Sequence, residues 1–117
     1  MKTAFLAFLS ILATQAHALT GNCVGTSRGE RIVVVLAGTQ QNGTGSVSVG
    51  GREVARFEGS DLQVNLIMQS IRARNAHGDV VEARVTNLSR QTGVLSRLIV
   101  PAYGINFSRV PVQCNLR

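Results

Sequence analysis

The chain has no tryptophan, five aromatic residues, two prolines, two histidines, two cysteines and six acidic residues among 117. Each scarcity removes a class of function. Without tryptophan, an extended carbohydrate cleft lacks its usual aromatic platforms, and few rings are left for stacking on single-stranded nucleic acid. Two histidines and two cysteines do not make a zinc centre at usable spacing. The six carboxylates include Glu53, Glu58, Asp61 and Glu82, spread over different predicted elements, so nothing local brings together an acid/base pair of the kind glycoside hydrolysis needs. No G-x-S-x-G elbow is present, and Gly43-Thr44-Gly45 is followed by no G-K-[ST], which excludes a phosphate-binding loop. A length of 117 residues leaves room for one domain of ordinary size.

Lysine is nearly absent as well. Its single copy, Lys2, belongs to a segment that reads as an address. Residues 1–18, MKTAFLAFLSILATQAHA, place Lys2 before an apolar stretch at 4–13 and end on Ala16-His17-Ala18. A charged n-region, a short apolar core and an A-x-A site are the parts of a secretory signal peptide. The core is too short for a bilayer span of about 20 residues. Asn22, directly before Cys23, is not the small residue a lipoprotein signal requires. The expectation is a cleaved signal over 1–18 and a single β-domain over 19–117, secreted or periplasmic and not membrane-embedded. That remainder carries eleven arginines against six acids, 11 − 6 = +5, and one histidine, His77.

Cys23 and Cys114 lie near the two ends of the remaining chain. In an oxidising compartment an even count reads as a disulfide, and two cysteines allow one connectivity. Bridged cysteines have Cα atoms within several ångströms of each other, so the first and last strands are expected to meet.

What is plentiful is valine, isoleucine, threonine and glycine, in short apolar runs separated by turn residues. That pattern predicts an all-β fold: a small antiparallel β-sandwich or partly open barrel of about seven or eight strands. Residues 31–37 (RIVVVLA) read as a central strand buried on both faces, and 38–45 as a polar loop. Gly50-Gly51 suits a two-residue hairpin that sets Val47 opposite Val54. Residues 62–69 alternate, with a slip near Gln69-Ser70 read as a bulge. A three-residue loop at 76–78, with Gly78 left-handed, pairs Asn75 with Asp79, Ala73 with Val81 and Ile71 with Ala83. It sets Arg72 against Glu82 on the opposite face. Residues 87–93 read as a loop and 94–100 as a strand. A second bulge is expected near Ser108-Arg109, and Pro111, which cannot donate to a ladder, argues for an edge position.

Few residues offer chemistry. His77 with Asp79 or Asp61 is a formal fragment of a triad, but it sits at a predicted hairpin tip. Residues 58–61 lack the D-x-D-x-D-G calcium pattern. The sequons at Asn42, Asn87 and Asn106 matter only on a glycosylating export route. The main compositional oddity is arginine: Arg72, Arg74 and Arg84 share the outward phase of the 71–84 hairpin, with Glu82 beside them. Guanidinium forks suit carboxylate and phosphate. The sequence therefore reads as a non-enzymatic exported binding module without cofactor, metal or nucleic-acid partner. Its partner would be a protein or an acidic envelope component, met through Arg72, Arg74 and Arg84. Inhibition of an exported hydrolase through the 38–45 or 87–93 loop is one version. A structural subunit of a surface assembly and a small exported hydrolase are the alternatives. Oligomeric state is left open.

Overall fold

The computed structural model describes residues 18–39 and 42–116. The expected signal over 1–18, apart from Ala18, lies outside these residues, as do Gln40, Gln41 and Arg117. Nine strands are present among the described residues. They are β1 (Ala18–Ser27), β2 (Glu30–Thr39), β3 (Thr44–Val49), β4 (Arg52–Glu58), β5 (Leu62–Asn65), β6 (Ser70–Arg74), β7 (Val80–Asn87), β8 (Thr92–Val100) and β9 (Ile105–Leu116). Short 3-10 turns, Gly59–Asp61 and Pro101–Tyr103, follow β4 and β8.

All nine join one antiparallel sheet in the order β4-β3-β2-β1-β9-β8-β7-β6-β5. The sheet curls into a nearly closed barrel around one core, built from Ile32, Val34, Leu36, Val47, Phe57, Ile71, Val81, Leu95, Leu98, Val100, Phe107 and their neighbours. Strand alternation causes this: inward residues are apolar, and outward ones are mostly polar or charged.

Cys23 faces Cys114 directly across the β1–β9 ladder, Cα atoms 4.0 Å apart, and the two are bonded. The first and last strands thus meet in the middle of the sheet, as the cysteine spacing requires. The bridge closes a loop of 91 residues.

The Gly50-Gly51 turn joins β3 and β4, both glycines at positive φ. The register shifts at Val47/Ser48, however, so Val47 faces Ala55 and not Val54. The β6–β7 hairpin has the expected register in full: Ile71↔Ala83, Arg72↔Glu82 and Ala73↔Val81, with Gly78 left-handed.

Other expectations are corrected. Residues 62–69 are not one strand with a slip; the chain reverses over 66–69, Gln69 at φ 48°, and β5 pairs back onto β6. That reversal raises the strand count to nine. β2 is buried on one face only: Ile32, Val34 and Leu36 point inward, Val33 is half-buried and Val35 is exposed. The loop at 38–45 shrinks, because Gly38 and Thr39 belong to β2 and Thr44 and Gly45 to β3. The 87–93 loop shrinks likewise to 88–91, between Asn87 of β7 and Thr92 of β8.

Pro111 lies in β9, between β1 and β8, not at an edge. The ladder to β1 ends one residue earlier, at Gly25↔Val112. Cys114 N–H donates to Gln91 O on the β8 side. Alternation therefore turns the Pro111 nitrogen toward β1, where pairing has stopped and no donor is needed.

The expected irregularity near Ser108-Arg109 is present, with Arg109 at φ 54°. Its counterpart lies on β8. Leu95 and Leu98 are both buried, as are Phe107 and Val110, so two consecutive side chains turn outward on each strand: Ser96-Arg97 and Ser108-Arg109. Both strands change phase together, which keeps Leu95↔Val110 and Leu98↔Phe107 in one register. On the β7 side the change appears as a register shift at Glu82/Ala83.

Candidate functional site

The outer surface of β5–β8 holds a shallow groove of about 530 Å³, lined by Gln63, Asn65, Ser70, Arg72, Glu82, Arg84 and Ser96 among others. The ladder explains who meets whom. One row across the sheet runs Gln63, Arg72, Glu82, Arg97, Ser108; the next runs Asn65, Ser70, Arg84, Val94. Side chains directly opposite one another lie within about 4.5–5.5 Å at Cβ, so these rows are chemical neighbours.

Of the three arginines singled out by sequence, Arg72 and Arg84 line the groove. Arg74 keeps the same outward phase at the β7 end of its strand, opposite Val80, and does not line it. Glu82 is the single carboxylate in the groove lining. It forms an ion pair with Arg72 at 3.4 Å (Nε to Oε2), with side-chain exposures of 65% for Arg72 and 26% for Glu82. An ion pair this exposed contributes little to stability, and it neutralises one guanidinium only. Among the described residues Arg84 and Arg97 form no ion pair.

Arg97 is the residue sequence reasoning missed. The paired kink turns it outward beside Ser96 and places it opposite Glu82. A simpler signal was present: no acidic residue follows Glu82, while Arg84, Arg90, Arg97, Arg109 and Arg117 do. The chain after Glu82 is therefore basic without compensation.

A second groove, of about 500 Å³, lies where β4 meets the β6–β7 turn and gathers Glu53, Glu58, Asp61, His77 and Asp79. Here the fold brings together carboxylates that sequence alone left apart. The four carboxylates are engaged locally, Glu58 and Asp61 reciprocally in the capping box of the 3-10 turn. Glu53 accepts from Arg56 at 3.0 and 3.3 Å; that hydrogen bond first, and then its charge, raise the Arg56 guanidinium above its ordinary pKa. Asp61 accepts the Glu58 N–H at 3.1 Å, closing the 3-10 turn. Asp79, 5% exposed, accepts from Asn75 Nδ2 at 2.8 Å.

Asn75 is the clasp of this seam. Its Nδ2 also donates to Arg56 O at 3.0 Å, tying the β6–β7 turn to edge strand β4. Its Oδ1 accepts from the His77 and Asp79 N–H groups at 3.0 and 3.1 Å. His77 itself is exposed at the turn. Among the described residues no group of three or more His, Cys, Asp and Glu side chains could hold a metal ion, and no helix is long and apolar enough to cross a membrane.

Comparison with known proteins gives no match: no family model, curated protein or solved structure resembles the chain significantly.

Proposed function

We propose that the protein is an exported, non-enzymatic binding module whose outer β5–β8 face, centred on Arg72, Arg84 and Arg97, holds an anionic partner: an acidic envelope polymer or an acidic protein. The observation that carries this reading is the charge imbalance of this face: Arg72 and Arg84 in the groove and Arg97 beside it, in two adjacent rows, with Glu82 as their one carboxylate. Arginine forks on a rigid sheet are preorganised for bidentate contacts to carboxylate, phosphate or sulfate. The Cys23–Cys114 bridge and the signal-like segment support an oxidising compartment. Arg74, displaced along β6, is a peripheral contributor at most.

The test is titration of polyglutamate onto the oxidised protein at low salt. Binding that weakens steeply with added salt, and that falls when Arg72, Arg84 and Arg97 are changed together to alanine, supports the reading. Undiminished binding in that triple variant refutes the proposed face.

A further inference from the structure

The barrel presents an apolar end that its core does not use. Leu66, Ile67 and Met68, in the turn between β5 and β6, are 39%, 93% and 68% exposed, and Leu88, in the turn between β7 and β8, is 64% exposed. The two turns project from the same end of neighbouring hairpins: Ser70 faces Arg84, and Val85 N–H donates to Gln69 O at 2.9 Å. Four of the six large hydrophobic residues exposed on the described surface therefore stand in two adjacent turns.

The turns are fixed by their own side chains. Asn65 Oδ1 accepts the Met68 N–H at 3.0 Å. Asn87 Oδ1 accepts the Arg90 N–H at 3.1 Å and the Ser89 hydroxyl at 2.9 Å. The apolar groups are held out by these bonds. Their charged neighbours are Arg84 beside the first turn and Arg90 within the second. No carboxylate lies between Asp61 and Asp79 or after Glu82, so neither turn carries an acid.

We propose that the protein docks this end on an anionic lipid bilayer, with Ile67, Met68 and Leu88 entering the headgroup–acyl boundary and Arg84 and Arg90 meeting lipid phosphates. The inference rests on the anionic-partner reading for its attraction and adds the turns as the inserting element. Projecting apolar tips ringed by cations match an interface that is apolar below and anionic above. A second copy is a poor occupant, because a two-fold contact through these tips would set Arg84 and Arg90 against their own copies.

The experiment is cosedimentation of the oxidised full chain lacking its signal with two kinds of vesicle, pure phosphatidylcholine and phosphatidylcholine containing phosphatidylglycerol. The polyglutamate titration runs alongside. The protein is expected to sediment with the anionic vesicles and to stay in solution with the neutral ones. The variant Ile67→Ser, Met68→Ser, Leu88→Ser is expected to lose about tenfold or more of its vesicle partitioning, since three exposed apolar contacts are removed. It should keep polyglutamate affinity and an unchanged urea midpoint, which shows that it folds. Wild-type protein that binds polyglutamate but not anionic vesicles overturns the lipid inference and leaves the anionic-partner reading standing; binding to neither overturns both. Equal vesicle binding by wild type and the tip variant, or a wild-type dimer that the tip variant converts to monomer, also overturns the inference.

Discussion

Removal of the disulfide by Cys23→Ala with Cys114→Ala gives the most quantitative test of the fold. The bridge closes 91 residues of chain, and on the chain-entropy model a loop of that length restricts the unfolded state by about 4–5 kcal/mol. Both cysteines are 1% exposed, so shortening each side chain adds a packing loss of roughly 1 kcal/mol per residue. Nothing else in the native state must change. Cys23 and Cys114 are already neighbours in a ladder that runs from Gly21↔Leu116 to Gly25↔Val112, and those backbone bonds persist without sulfur. The expected loss, about 6–7 kcal/mol, is comparable to the whole stability of a small domain, about 5–15 kcal/mol. The assay is urea unfolding followed by circular dichroism, on the oxidised protein and the double alanine variant. The variant should show a much lower midpoint and a steeper m-value, because an unlinked chain exposes more surface on unfolding. Its thermal midpoint should fall on the order of 20–30 °C. A loss under about 1 kcal/mol would refute the reasoning, since it would mean that the chain ends are held together just as firmly in the unfolded state without the bridge.

The seam gives a second prediction. Asn75→Ala removes the link to Arg56 O and strips the buried Asp79 of a donor, so it should cost about 2–3 kcal/mol in urea unfolding, whereas His77→Ala at the same turn should cost under about 0.5 kcal/mol. Backbone packing gives a third. A methyl group at Gly93 would meet Arg84 O, while one at Gly50 meets nothing and suffers only from φ 62°. Gly93→Ala should therefore destabilise by more than about 2 kcal/mol and Gly50→Ala by about 1 kcal/mol, read as shifts in the urea midpoint. Charge gives a fourth: Glu82→Gln removes the one carboxylate of the arginine groove and frees Arg72. Polyglutamate affinity at low salt should then rise about two- to fivefold, and the gain should vanish as salt screens it.

Residues whose local chemistry agreed with their tertiary role were readable from sequence. The β6–β7 hairpin was legible because Gly78, the apolar alternation and the Arg72–Glu82 pair all specify one register. The cysteines fixed the meeting of β1 and β9 for a similar reason. The β5–β6 reversal was not legible. Leu66, Ile67, Met68 and Gln69 offer no glycine or proline to announce a turn, the one turn residue, Asn65, stands within the apolar alternation that reads as strand, and the chain adopts φ 48° at Gln69 without a glycine. Apolar residues in a turn break the usual pattern, and they are the ones left exposed at the barrel end. Pro111 misled because its missing donor suggested an edge, whereas β9 meets the constraint at the one step where its ladder to β1 has ended. The arginine face was half legible. Phase along one hairpin found Arg72, Arg74 and Arg84, but Arg97 depends on the coordinated kink of β8 and β9, of which the sequence signals only the β9 half, near Ser108-Arg109.

The central claim is that a defined face, and not overall charge, binds the anionic partner. Two triple variants with equal loss of charge decide it: Arg72→Ala, Arg84→Ala, Arg97→Ala on the β5–β8 face, and Arg28→Ala, Arg31→Ala, Arg52→Ala on the β1–β4 half of the barrel. Polyglutamate titration at fixed low salt should show a loss of about tenfold or more for the first triple and less than about threefold for the second. Equal losses in the two would contradict the account, because affinity would then follow net charge alone.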